Sequence, residues 1–215
     1  MKTAIIGAGG FGREVLALMQ SVNSVKQAFN IVGFIDDGID LGTKIGAISV
    51  IGKVEDLAKL DVEAVVLAIG NSKVRERVAE KLPRNIQTPN VIHPSVILEN
   101  ATSIKLGKGC VICAGNILTT DITIGNFCVF NLSSTIGHDA EIADFVSIMP
   151  GVNVSGGAKI ERGVYIGTGA KLIKSSIIGS YSTIGAGAVV DCDVETRTTV
   201  VGVPAKPLNK RNGGL

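Results

Sequence analysis

The sequence predicts a two-part fold: a small open α/β sheet over residues 1–90, then a parallel β-helix over residues 91–215. Three observations carry that expectation. An apolar residue recurs at every sixth position from Leu106 to Val190. A Gly-x-Gly-x-x-Gly run stands between an apolar segment and an amphipathic one near the N-terminus. Strand-like and helix-like segments alternate before residue 90 and not after it.

The β-helix follows from the period. The series runs Leu106, Ile112, Leu118, Ile124, Phe130, Ile136, Ile142 and on without a break through Ile184 to Val190. A period of six fits neither an amphipathic helix, near 3.6, nor a half-buried strand, at 2.0. Fixed short repeats mark solenoids, and hexapeptides mark a parallel β-helix. The fourth residue after each apolar one, from Cys110 and Asn116 to Val194, is never charged. Each hexapeptide is therefore read as a short flat strand plus a corner. The large apolar residue points inward and its uncharged companion fills the corner. Three hexapeptides make one coil and fifteen make five, so strand-spaced stacking gives a prism about 20–25 Å long. Gly follows the apolar residue at Gly107, Gly125, Gly137, Gly167, Gly179 and Gly185. That fixed offset reads as a turn signal, because Gly accepts backbone angles others avoid. The series extends back to Ile92, Leu98 and Ile104, then slips by two residues before Leu106, so the first coil should be irregular.

The N-terminal third reads as a Rossmann-like half domain. Strands are expected at residues 3–6, 31–35 and 64–69, and helices at 13–22 and 73–82. Gly7-Ala-Gly9-Gly-Phe-Gly12 lies between the first strand and first helix. Such a run turns backbone N–H groups and a helix N-terminus toward a phosphate. Ligands of open α/β sheets sit at the carboxyl ends of the strands. Those ends are Gly9–Gly12, Asp36–Asp37 and 70–72, and all three can converge on one cleft. Some 90 residues hold only one mononucleotide half, so a nucleotide or nucleotide-sugar is favoured over NAD. A structural turn without ligand stays open beside that reading.

Composition narrows the partners. The formal net charge is +2, with no basic run and no aromatic–basic interleaving, so no nucleic acid is expected. No stretch approaches eighteen uninterrupted apolar residues, and the N-terminus meets Arg13 and Glu14 too early for a signal peptide. A cytoplasmic location is expected. Cys110 and Cys113 have zinc-like spacing but no second pair. Cys110 and Cys128 are corner fillers eighteen residues apart, so packing explains them better. Only two histidines exist, His93 and His138, too few for a three-His zinc site, and no metal is expected. His93 precedes Pro94 where the chain enters the prism and reads as structural. His138 lies two places past the inward Ile136, so its side chain should leave the prism, with Asp139 beside it and Asn131 nearby. An outward imidazole next to a carboxylate suits a general base; an idle surface histidine is the alternative.

Further motifs occur in a fixed order: Phe34-Ile-Asp-Asp37, Ala68-Ile-Gly-Asn71, Ile92-His-Pro-Ser95, Ile136-Gly-His-Asp139, Pro150-Gly151, Ser155-Gly156, Ile184-Gly-Ala-Gly-Ala-Val-Val190 and Gly202-Val-Pro-Ala-Lys206. With the glycine run, they make the chain similar to the sialic acid O-acetyltransferase family. That family includes acyltransferases that N-acetylate nucleotide-linked amino sugars. The resemblance covers nearly the whole chain. It implies a homotrimer of left-handed prisms, acetyl-CoA between neighbouring prisms, and a sugar nucleotide held by the small N-terminal domain.

Position by position, the resemblance implies catalysis by His138 with Asp139, and Gly156 as donor to the oxyanion. It implies a CoA site at Ser147, Gly156, Thr168, Gly185, Ala186 and Lys206. It also implies a substrate site at Gly9, Gly10, Phe11, Asp36, Asp37, Gly70 and Asn71. Two positions depart from relatives: Phe11 and Ser147 each stand where some of them carry His. The expected reaction is direct acetyl transfer to the sugar amine, without an acyl-enzyme. O-acetylation of a sialic acid or related sugar, and a non-catalytic trimeric scaffold that binds CoA or a sugar nucleotide, are the alternatives.

Overall fold

The computed structural model describes residues 1–173 and 175–208. Residues 209–215, the end of the expected C-terminal domain, lie outside the described residues. The N-terminal sheet contains β1 (Lys2–Ile6), β2 (Asn30–Ile35), β3 (Lys44–Ile45), β4 (Ile48–Gly52) and β5 (Ala64–Leu67). Its order is β3-β4-β2-β1-β5, parallel except for the β3–β4 hairpin. The hairpin and a 3-10 helix at Val54–Lys59 are additions to the expected pattern. Helix α1 spans Gly10–Val25 and α2 spans Ser72–Glu80. The glycine run has a steric basis. Gly7 has a φ of +101°, and a Cβ at Gly12 would lie 2.0 Å from the Gly7 carbonyl oxygen. Helix α1 thus starts hard against the end of β1.

Seventeen two-residue strands follow, from Val91–Ile92 to Val189–Val190, and the inward apolar residue is the second of every pair. From Lys105–Leu106 on, each pairs in parallel with the strand eighteen residues away, as in Phe130 against Ile148; the first two pair at twenty, Ile92 with Ile112 and Leu98 with Leu118. The strands sort into three faces. The first face carries Val129–Phe130, Ser147–Ile148, Tyr165–Ile166 and Thr183–Ile184. The second carries Thr135–Ile136 and Asn153–Val154, and the third Glu141–Ile142 and Lys159–Ile160. A 3-10 turn at Ala101–Ser103 absorbs the two-residue slip, so Leu98 still pairs with Leu118. From Cys110 on, the inward residues and corner fillers are buried, Cys128 included, while Ile92, Leu98 and Leu106 of the first coil are only partly so. Each fully buried Ile or Val contributes about 1.5–3 kcal/mol relative to exposure.

The glycines after the apolar positions are not where the chain turns. The left-handed residue is two places further on, at Gly109, Asp121, Phe127, Ser133, Asp139, Phe145, Gly151, Gly157, Gly163, Gly169 and Tyr181 among others. Gly137 and Gly167 serve a different need. A Cβ at either would lie 2.6 Å from a backbone nitrogen of the next coil, Gly156 N and Ala186 N respectively. Close approach between coils requires glycine there.

Candidate active site and the docked α/β unit

Each corner of the prism has its own character. The second corner, between the second and third faces, carries His138. Its Nδ1 lies 2.6 Å from Asp139 Oδ2. Asp139 is left-handed, with a φ of +58°, which turns its carboxylate back onto the neighbouring ring. An ionised carboxylate only accepts, so Nδ1 holds the proton and Nε2 is left as the basic nitrogen. Both side chains are more than half exposed. Gly156 sits one coil above. A Cβ there would lie 2.5 Å from His138 Nε2, so only glycine leaves the ring its place. The Gly156 N–H donates no hydrogen bond among the described residues.

The first corner carries Thr168, Gly185 and Ala186, with Thr168 and Ala186 exposed. Asn131 is on this corner too, so it is not beside His138 as sequence proximity suggested. Lys206 is exposed on a short strand antiparallel to Thr199–Val201. Because these residues and His138 occupy different corners of one triangular prism, a single prism does not bring them together.

The third corner is covered by the N-terminal unit. Its left-handed positions form a ladder of Gly109, Phe127, Phe145, Gly163 and Tyr181. Phe127 and Phe145 stack with ring centroids 5.3 Å apart. Helix α2 lies along this ladder. Ser72 Oγ donates to the Gly163 carbonyl, and Tyr181 Oη to Glu76. Arg162 pairs with Glu76 at 2.7 Å and Asp144 at 2.9 Å, and lies over the Phe145 ring. Helix α1 packs on the first face, joining Val15, Leu18 and Met19 to Val91, Val111 and Val129.

At the centre of the interface is Arg75, fully buried. Its guanidinium donates to the carbonyls of Ile69, Gly70, Phe127, Phe145 and Val146 and to Ser147 Oγ. Burial pulls its pKa down to about 10, with the nearby Cys128 and Cys110 thiols opposing, so it is charged at neutral pH. Sequence reasoning missed Arg75. The signal it left is the ladder: large aromatic residues at outward corner positions need a cover.

Ser147 needs correction. It is fully buried, accepts from Arg75 at 2.9 Å and donates to the Gly70 carbonyl at 2.9 Å. Both roles of its hydroxyl are used inside the interface, so it is not an open contact for CoA. The sequence could not give this, because a strand's outward residue faces solvent or a docked domain with the same spacing.

The three strand-end loops are partly joined. Asp36 accepts from Ala8 N–H at 2.8 Å and Gly38 N–H at 2.9 Å, tying the second loop to the glycine run. Gly9 and Gly10 are exposed at the start of α1, and Phe11 is half-buried against the α1 core. Asp37 accepts from Val54 N–H, and Asn71 Oδ1 caps α2 through Val74 N–H. These polar side chains fasten loops and helix starts of the α/β unit, whatever else they bind. Gly70 and Asn71 rim a cleft of about 500 Å³ with Lys73 of α2, Tyr165 and Thr183 of the first face, and Met149 just past that face. Asp37 instead lines a groove with Lys53 and Lys81. A ligand held by both Asp37 and Asn71 therefore spans two concavities.

His93 serves a turn, its Nδ1 accepting from Ser95 N–H at 3.1 Å. Cys113 is buried beneath α1, where burial pushes its thiol up to about 12. Among the described residues no group of three or more His, Cys, Asp or Glu side chains could hold a metal ion. No described helix is long and apolar enough to cross a membrane.

The chain matches the PglD N-terminal domain over residues 2–82 and the bacterial transferase hexapeptide (six repeats) over residues 157–192. It is 32% identical over 219 residues to the GDP-perosamine N-acetyltransferase of Escherichia coli O157:H7, covering 96% of each chain. The chain belongs to the sialic acid O-acetyltransferase and nucleotide-amino-sugar N-acetyltransferase family of hexapeptide acyltransferases. The acetyltransferase domain of PglB from Neisseria gonorrhoeae FA1090, solved with acetyl coenzyme A, resembles this family member with a TM-score of 0.88. They share 33% identity over 96% of this chain and 98% of that one. WeeI from Acinetobacter baumannii AYE matches with a TM-score of 0.86 and 37% identity, over 97% of this chain and all of that one, 100%. The prism of this acyltransferase-family chain is the expected left-handed β-helix behind a Rossmann-like half domain.

Proposed function

We propose that this protein transfers the acetyl group of acetyl-CoA to the amine of a nucleotide-linked amino sugar. The observation that carries the reading is the His138–Asp139 pair at 2.6 Å, set against Gly156 on an exposed prism corner. The full-length relative that acts on GDP-perosamine supports the acceptor class. The PglB domain solved with acetyl coenzyme A supports the donor.

In this reading, residues 1–90 bind the sugar nucleotide and residues 91–215 carry the transfer. Gly9, Gly10, Phe11, Asp36, Asp37, Gly70 and Asn71 hold the acceptor. His138 Nε2 takes a proton as the amine attacks the thioester carbonyl, and Asp139 stabilises the imidazolium that forms. The free Gly156 N–H donates to the developing oxyanion. As the tetrahedral intermediate collapses, the C–S bond breaks and the imidazolium returns its proton to the departing thiolate. No cysteine is placed as a nucleophile, so no acyl-enzyme is needed. CoA runs along Thr168, Gly185 and Ala186, with Lys206 near a phosphate. Because that corner and His138 lie apart on one prism, a site using both is completed by a second copy, in a homotrimer. Four free cysteines suit a reducing cytoplasm.

The test is product analysis with acetyl-CoA and matched acceptors: amino sugars linked to GDP or UDP, their free sugars, and sialic acid. Acetylation on nitrogen of a nucleotide-linked acceptor is expected. Acetylation of sialic acid alone would replace this reading with O-transfer. CoA binding without any product would leave a scaffold.

A further inference from the structure

We propose that Arg75 is a positioning residue that sets the height of the Gly70–Asn71 loop above the first prism face. It thereby fixes where the acceptor amine stands relative to the thioester. The inference rests on the acetyl-transfer reading above and adds a residue that touches neither substrate.

The acceptor set carries the argument. Two of the carbonyls Arg75 binds, Ile69 and Gly70, belong to the loop that rims the cleft. The others lie on two successive coils: Phe127 on one, then Phe145 and Val146 with the Ser147 hydroxyl on the next. Ser147 closes the figure by donating to the same Gly70 carbonyl. One guanidinium therefore spans the loop and both coils, and its planar fork holds fixed angles between them.

Anchoring alone does not call for this device. Helix α2 is already tied at its start by Ser72 to Gly163 and along its length by Glu76 to Arg162 and Tyr181. A buried cation is costly to desolvate, and no carboxylate bonds to Arg75 among the described residues to offset that cost. An apolar side chain would pack α2 on the prism at less expense. What it would not supply is a rigid link from the cleft rim to the prism backbone. Small displacements of a bound reactant cost rate steeply, on the order of 10²-fold for 1 Å. A flexible ammonium with three donors cannot hold all six acceptors, so lysine should not replace arginine here.

The experiment compares wild type, Arg75→Lys and Ser147→Ala. Steady-state rates are measured with acetyl-CoA and a nucleotide-linked amino sugar varied separately. Amide exchange of residues 69–72 is followed in the same proteins. The expected result for Arg75→Lys is a KM for the acceptor raised roughly tenfold, with the KM for acetyl-CoA within about twofold. Ser147→Ala should show the same asymmetry at roughly threefold. Exchange at residues 69–72 should quicken in both. Unchanged kinetics, or equal loss for both substrates in step with a lower melting point, would overturn the proposal. If Arg75→Lys does not fold, the Ser147→Ala asymmetry decides. If wild type acetylates no nucleotide-linked sugar, the transfer reading fails. Exchange then judges the clamp alone: faster exchange upholds it and unchanged exchange rejects it.

Discussion

The prism and the α/β unit are built on opposite principles. In the prism each residue's place follows from its number modulo six: inward, corner or outward. A functional residue shows itself there as a departure from the repeat. His138 is an outward imidazole on an otherwise plain corner, and Phe127, Phe145 and Tyr181 are bulky residues in a left-handed conformation that costs about 1–2 kcal/mol each. In the α/β unit no such ruler exists. Asp36, Asp37 and Asn71 look like ligand contacts, yet each accepts from a backbone N–H of the scaffold: Ala8 in the glycine run, Val54 in the 3-10 helix and Val74 in α2. Regularity makes exceptions readable; irregular loops give scaffold and ligand contacts the same residue types.

That contrast can be broken at several points. The largest effect belongs to the prism. His138→Ala should lose about 10²–10⁴-fold in turnover with an unchanged melting point, since the ring is exposed. A rate near wild type would make His138 the idle surface residue of the alternative reading. Gly156→Ala should follow, at about 10²-fold in rate, because its Cβ would stand 2.5 Å from Nε2 and push the ring aside. Circular dichroism should show the fold intact.

Two glycines then separate close approach from turning. Gly167→Ala, with a Cβ 2.6 Å from the Ala186 nitrogen, should destabilise by about 3 kcal/mol in a denaturant melt. Gly169→Ala meets nothing within 4 Å and bears only its left-handed φ of +72°, so about 1–2 kcal/mol is expected. Equal losses would erase the distinction drawn between the two glycine positions. The smallest effect is in the α/β unit: Asn71→Ala removes the α2 cap and should cost about 1 kcal/mol. A much larger fall in acceptor affinity than in stability would give Asn71 its second role.

Much of this was legible in the chain. The six-residue period gave the strands, the corner fillers and the outward aim of His138. The two-residue slip before Leu106 gave the irregular first coil, seen as the turn at Ala101–Ser103. The glycine offset was misread, because sequence shows that a residue must be small and not whether a backbone angle or a neighbouring coil demands it. Ser147 was misplaced because an outward strand residue faces solvent or a docked domain with equal spacing. Arg75 was invisible for a related reason. All its partners but one hydroxyl are backbone carbonyls, which every residue carries.

The central claim is that the base and the CoA corner, set apart on one prism, work together between two copies. Mixed oligomers test it most directly. His138→Ala lacks the base, and Ala186→Trp fills the exposed first corner. Each should be nearly inactive alone. Refolded together in equal amounts, they should recover roughly a quarter of the wild-type rate, by random assortment in a cyclic oligomer. No recovery, with mixed oligomers confirmed by mass, would contradict the account and place the whole reaction within one protomer.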